Sequence, residues 1–171
     1  MTTRKDFLRI ASMVPAGLLI FPQQLSAQEV KPAVLSATLV KDFVGKAHRD
    51  MDAVLKMHKE IPTLLNAAWD WGGGDFETAL GAASHVGYIE LVNYLIEQGA
   101  QMNFLTLCLL GKTEMVNVML TDYPFLLNMK GPHGFTPLHH ANQGGENALA
   151  VKELLEKGGA KETKVKLVFK M

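Results

Sequence analysis

The sequence predicts an all-α fold, a helical solenoid of about four stacked helix–turn–helix units. Three observations predict it. Apolar stripes at helical spacing recur along the chain, as in Leu91, Val92, Leu95 and Ile96. Glycines punctuate them: Gly87 stands where a pair of helices needs a tight turn, and Gly99 follows the last turn, where a left-handed residue is wanted. A threonine opens a helix at Thr136, followed by Pro137, whose missing N–H costs nothing at a first helical position.

Taken in order, Met1 to Ala27 reads as an export signal. The basic stretch Arg4-Lys5-Asp6-Phe7-Leu8-Arg9 precedes an apolar stretch from Ile10 to Phe21, and Leu25-Ser26-Ala27 supplies small residues for cleavage. Twelve apolar residues interrupted by Pro15 and Gly17 fall short of the roughly 20 that span a bilayer, so no permanent anchor is expected. Thr3-Arg4-Lys5-Asp6-Phe7-Leu8-Arg9 resembles a bacterial twin-arginine signal, with Lys5 in place of the second arginine. Residues 28–37 are a polar, mobile lead-in, and the repeats run from 38 to 160.

The strongest repeat combines Thr78-Ala79-Leu80-Gly81-Ala82-Ala83 with the segment Gly87 to Ala100. Thr136-Pro137-Leu138-His139-His140-Ala141 opens another, continued by Ala150 to Ala160. Gly111 to Leu120 and Asp52 to Met57 are weaker copies of the second helix. They are tied together by Pro62-Thr63-Leu64-Leu65-Asn66 and Pro124-Phe125-Leu126-Leu127-Asn128, which lie 62 residues apart. Equivalent valines at 54, 92, 116 and 151 give steps of 38, 24 and 35. The step of 24 requires a shortened turn between Ala100 and Leu105, and the step of 38 a longer loop around Trp69 to Asp75. The tail, 161–171, alternates lysines with Val165, Leu167 and Phe169, as either a short strand or a frayed end.

These segments resemble ankyrin repeats. Thr136 to Ala141 matches the Thr-Pro-Leu-His-x-Ala line of that family, and Gly87 to Ala100 follows its second-helix pattern. The resemblance covers about 70% of the chain. It implies units that bury their apolar faces only by stacking, so the terminal unit wants a wetter face, which Lys41, Asp42, Lys46 and Arg49 supply. It also implies that His139 makes hydrogen bonds between repeats, and that loop tips and first helices line a groove that grips partners.

Composition narrows the function. Seventeen basic and seventeen acidic side chains cancel; without the first 27 residues the balance is 14 to 16. No basic excess marks a nucleic-acid surface. The single cysteine, Cys108, lies in the apolar run Leu107-Cys108-Leu109-Leu110 and reads as a small hydrophobe. No Gly-x-Ser-x-Gly elbow appears, Gly72-Gly73-Gly74 lacks a following Gly-Lys-Ser/Thr and reads as a flexible loop, and the carboxylates look scattered over helix surfaces. Six histidines lack the short paired spacing of a zinc site. His48 and His58 have no acidic companion at ligand spacing, His85 is expected on a helix surface, and His133 at a solvent-open loop tip. His139 and His140 point about 100° apart on a helix. No catalytic, cofactor or metal site is expected, and no enzyme.

The reading is therefore a non-enzymatic protein-binding module, periplasmic or secreted. The candidate contact residues are Trp69, Asp70 and Trp71 in the glycine loop, Tyr88, and His133 and Phe135 in the loop before the last repeat. Tryptophan suits such a surface because it buries a large area at little rotamer cost; Trp71 has the alternative of packing under its loop. A rival reading is a metal- or small-molecule-binding protein that uses His133, His139 and His140.

Overall fold

The computed structural model describes residues 33–168; the expected export signal at 1–27 and the first half of the lead-in, 28–32, lie outside them. Eight α-helices form four antiparallel pairs among the described residues. The first pair is α1 (Ala37–Lys46) and α2 (Met51–Glu60); the second is α3 (Ala79–His85) and α4 (Ile89–Glu97). The third is α5 (Phe104–Leu109) and α6 (Thr113–Asp122), and the last is α7 (Pro137–Gln143) and α8 (Leu149–Lys157). None of these helices is long and apolar enough to cross a membrane.

Capping fixes where the helices begin. Ser36, Asp50, Thr78, Asn103 and Thr136 each accept a hydrogen bond from a backbone N–H in the first turn of α1, α2, α3, α5 and α7. These are the orphan donors that a helix leaves at its start. At the other end of α4, Gly99 takes φ +94° and the N–H of Ala100 returns to the Leu95 carbonyl, which closes the helix.

The expectation of an all-α chain needs one correction. The long loop after the first pair is a β-hairpin, β1 (Ala68–Asp70) antiparallel to β2 (Phe76–Thr78), with Trp69 opposite Glu77. Its tip is not the loose glycine loop that composition suggests. The Asp70 carboxylate accepts from the N–H groups of Gly72 and Gly74 at 2.8 and 3.1 Å, which pins the turn.

The first helices α1, α3, α5 and α7 pack side by side, and α7 also reaches α3. That reach follows from the shortened third unit. Only Gln101, Met102 and Asn103 link Ala100 to α5, and the Asn66 side chain accepts from the Gln101 N–H at 2.9 Å. With no hairpin in the third unit, the loop before α7 comes against the hairpin of the second. His133 bonds Asp75 across this junction.

The core falls into two clusters. One is built on Phe43, Val44, Val54, Leu80, Leu91, Val92 and Leu95; the other on Phe104, Val116, Leu138, Val151 and Leu155. Helix α5 serves both: Leu109 belongs to the first cluster, while Leu107 and Cys108 belong to the second. A buried pair of hydroxyls, Ser84 and Thr106 at 3.1 Å, joins α3 to α5 without leaving a polar group unpaired. Lys41, Asp42, Lys46 and Arg49 are exposed on the first pair.

The tail docks as far as it is described. Phe135 and Lys164 form an antiparallel bridge, Val165 N–H donates to the Gly134 carbonyl at 2.8 Å, and the Thr136 hydroxyl donates to the Glu162 carbonyl. Residues 169–171 lie outside the description.

Gly144, after α7, shows how close the helices approach. Its φ is an ordinary −73°, yet a Cβ there would meet the Leu109 carbonyl and the Ala148 methyl. Gly144→Ala is expected to cost about 1–3 kcal/mol by overpacking. Gly145, with φ +56° and open space around it, isolates the backbone effect, so Gly145→Ala should cost about 1–2 kcal/mol. Urea melts of the two variants check this; a harmless Gly144→Ala would mean that α5 and α7 do not touch there.

Candidate functional site

Residues distant in sequence converge at the base of the hairpin. Along β2 and the residue before it, Asp75, Phe76 and Glu77 alternate in direction, so Phe76 points to solvent and Glu77 inward. Glu77 is the surprise among the carboxylates, because its side chain is fully buried. Around it stand His48 from the turn after α1, His85 from the end of α3, and His133 from the turn before α7.

The distances are short. His85 Nδ1 lies 2.9 Å from Glu77 Oε1, while His133 Nε2 and His48 Nε2 lie 3.3 and 3.5 Å from Oε2. The Trp71 indole N–H donates to Oε2 at 2.8 Å. Burial alone would push the Glu77 carboxyl up. The adjacent His85 imidazole, the Trp71 indole and His48 more than offset that, and the carboxyl sits below its usual value. Glu77 Oε1 and His85 Nδ1 approach closely, but neither makes a well-aligned hydrogen bond.

Each outer histidine is held from behind. His48 Nδ1 faces the Val44 and Gly45 carbonyls, both at 3.2 Å, the end-of-helix acceptors of α1. His133 Nδ1 faces Asp75 Oδ2 at 2.9 Å, and its backbone N–H donates to Asp75 Oδ1 at 2.9 Å. His133 also adopts φ +57°, the only non-glycine among the described residues with a positive φ. A β-carbon in that region costs on the order of 1–2 kcal/mol, which the two bonds to Asp75 offset.

This geometry corrects several expectations. His85 is not on a helix surface but buried, with its ring stacked on Phe135 at 4.9 Å between centroids. His133 is not an open loop tip: its side chain is 27% exposed and tied to the hairpin. His48 does have an acidic companion, brought by the fold from 29 positions away. Of the three histidines in the rival reading, only His133 joins the group. His139 gives its Nε2 to the His85 carbonyl at 2.8 Å, the inter-repeat bond that the resemblance implies, and His140 is buried with Nδ1 on the Thr136 carbonyl at 2.9 Å. His58 bonds the Tyr94 hydroxyl, remote from the cluster. Cys108 is fully buried, and burial pushes its thiol up to about 12, which leaves it unreactive.

The candidate contact residues divide. Trp71 is 37% exposed, with its indole edge anchored on Glu77, and Phe76, on the paired strand, is 62% exposed. Trp69 is half-buried on the first core cluster under the Lys41 ammonium. Asp70 is occupied by the glycine turn, and Tyr88 is half-buried on the core. Phe135 is stacked between His85 and His139, with the Lys164 ammonium 4.4 Å from its ring. The sequence did carry one signal for Glu77: in a strand, Asp75 and Glu77 share a face opposite the apolar Phe76.

No curated protein matches the chain. The family model for the ankyrin repeat matches residues 75–107 and 133–164, the stretches that hold β2, α3 and α4 and then α7 and α8. Together with the mostly helical, paired architecture, these two matches support an ankyrin-repeat protein.

Proposed function

We propose that this chain is a non-enzymatic module that binds a protein partner outside the cytoplasm, through the hairpin tip and the adjoining face of α1. Ankyrin repeats generally mediate contacts between proteins. The observation that carries the reading is the exposure of two aromatic side chains, Trp71 and Phe76, on one hairpin whose turn and whose Trp71 indole are both pinned. An aromatic anchor held in place before binding loses little entropy when it binds. Beside Trp71 lies a shallow recess lined by Lys41, Lys46 and Arg49 with one acidic side chain, Asp42. Its charge favours an acidic segment of the partner. The location rests on the basic-then-apolar N-terminus and its resemblance to a twin-arginine signal.

Co-purification with the tagged full chain from the source cell's periplasm identifies the partner. Alanines at Trp69 and Trp71 remove binding in this reading, and Phe76→Ala alone weakens it by about tenfold or more. Circular dichroism verifies that the variants are folded. A partner held equally well by both variants places the contact surface elsewhere, and a leader fusion that leaves a reporter in the cytoplasm refutes the location.

A further inference from the structure

We infer that His48, His85, His133 and Glu77 form a binding site for a divalent transition metal of the zinc type, which clamps the first, second and fourth helical pairs together. One donor atom from each residue lies within 4.8 Å of all the others. A tetrahedral zinc ion with bonds of about 2.0–2.1 Å sets its donors about 3.3 Å apart, so modest side-chain movement closes the set. Three imidazole nitrogens, one carboxylate oxygen and no sulfur make a donor set suited to zinc and its neighbours rather than to calcium or magnesium.

The rings are already oriented for this use. The Nδ1 atoms of His48 and His133 face only acceptors, two backbone carbonyls and the Asp75 carboxylate, so each Nδ1 carries the hydrogen. That leaves Nε2 as the metal-binding nitrogen of each ring, and in both residues it lies on the Glu77 side. Metal-binding histidines are held this way, with the second nitrogen donating to a carbonyl or carboxylate that fixes the tautomer and the ring. The buried pair adds an independent sign. Glu77 Oε1 and His85 Nδ1, both inaccessible and 2.9 Å apart, lack a well-aligned bond to one another. An ion bound by both atoms would satisfy them more fully than their misaligned contact with one another does.

The strain at His133 fits the same reading. A residue held at φ +57° is stored where a function needs its side chain in one place. The side chains of His48 and His133 are 24% and 27% exposed, which gives an ion a route in from solvent. Four protein donors would complete the coordination, as in a structural site. The metal would then hold the hairpin, and so Trp71 and Phe76, against α1 and the last repeat.

The full chain, stripped with a chelator, is titrated with zinc chloride and separately with cobalt chloride. One zinc per chain, a raised melting temperature and a cobalt spectrum of tetrahedral nitrogen–oxygen type are expected. His133→Gly keeps the left-handed turn and removes a ligand, and it should weaken zinc binding by about a hundredfold, as should His48→Gln. Asp75→Asn, which touches the metal only through His133, should weaken it by about 10–100-fold. His58→Gln should bind like the parent. A folded chain that takes up neither metal overturns the assignment, as does binding that survives both His133→Gly and His48→Gln. In the former case the four residues are a polar junction between repeats and nothing more.

Discussion

Leu109→Ala is expected to destabilise the protein by about 2–5 kcal/mol and to separate its unfolding into two steps. Leu109 is fully buried and is the α5 residue that enters the core of the first two helical pairs, while its neighbours Leu107 and Cys108 face the core of the last two. In a stack of repeats, stability is the sum of each unit's own stability and the interfaces between neighbours. A cavity at Leu109 weakens one interface more than any unit. The half containing α7 and α8 then has reason to melt apart from the half containing α1 to α4. Urea denaturation followed by tryptophan fluorescence reports the first half, because Trp69 and Trp71 both lie there, and far-ultraviolet circular dichroism reports the whole. Coincident transitions at the parent's midpoint would show that α5 does not couple the two clusters.

Acid is expected to cost the fold on the order of 3 kcal/mol between pH 6.5 and pH 4, through His140. Its ring is 1% exposed, and burial lowers its pKa from 6.5 to about 4, against the smaller opposing effect of the Thr136 carbonyl. Above pH 6.5 the ring is neutral in both folded and unfolded chains, so nothing is lost. Below it the unfolded chain takes up a proton that the folded chain refuses, and stability falls until the pH reaches the folded value. His139, also lowered chiefly by burial, adds in the same direction. Glu77, held below its ordinary 4.5, adds its loss only further down. Urea melts at pH 7 and pH 4.5 measure the slope; His140→Gln, which keeps a donor for the Thr136 carbonyl, should reduce it. An unchanged slope would place the acid sensitivity elsewhere.

Much of the scaffold was legible because its causes are local. Thr78 and Thr136 cap helices through atoms three residues away, and Leu91, Val92 and Leu95 mark a buried stripe by spacing alone. The steps of 38 and 24 between equivalent valines foretold an enlarged loop and a shortened one. The site was not legible in the same way. His48, Glu77, His85 and His133 span 86 positions and share no spacing rule, so a search for paired ligands passes over them.

By itself the sequence determined the apolar helix stripes, the threonine caps, the pairing of the helices and the order of the repeats. Each of these depends on hydrogen bonds and apolar contacts within a few turns of chain. Only the tertiary structure decided that Glu77 is buried, that His85 turns inward and that His133 closes over both. The missing third hairpin lets the last repeat's loop reach the second's, and that reach depends on how four units stack rather than on any one of them.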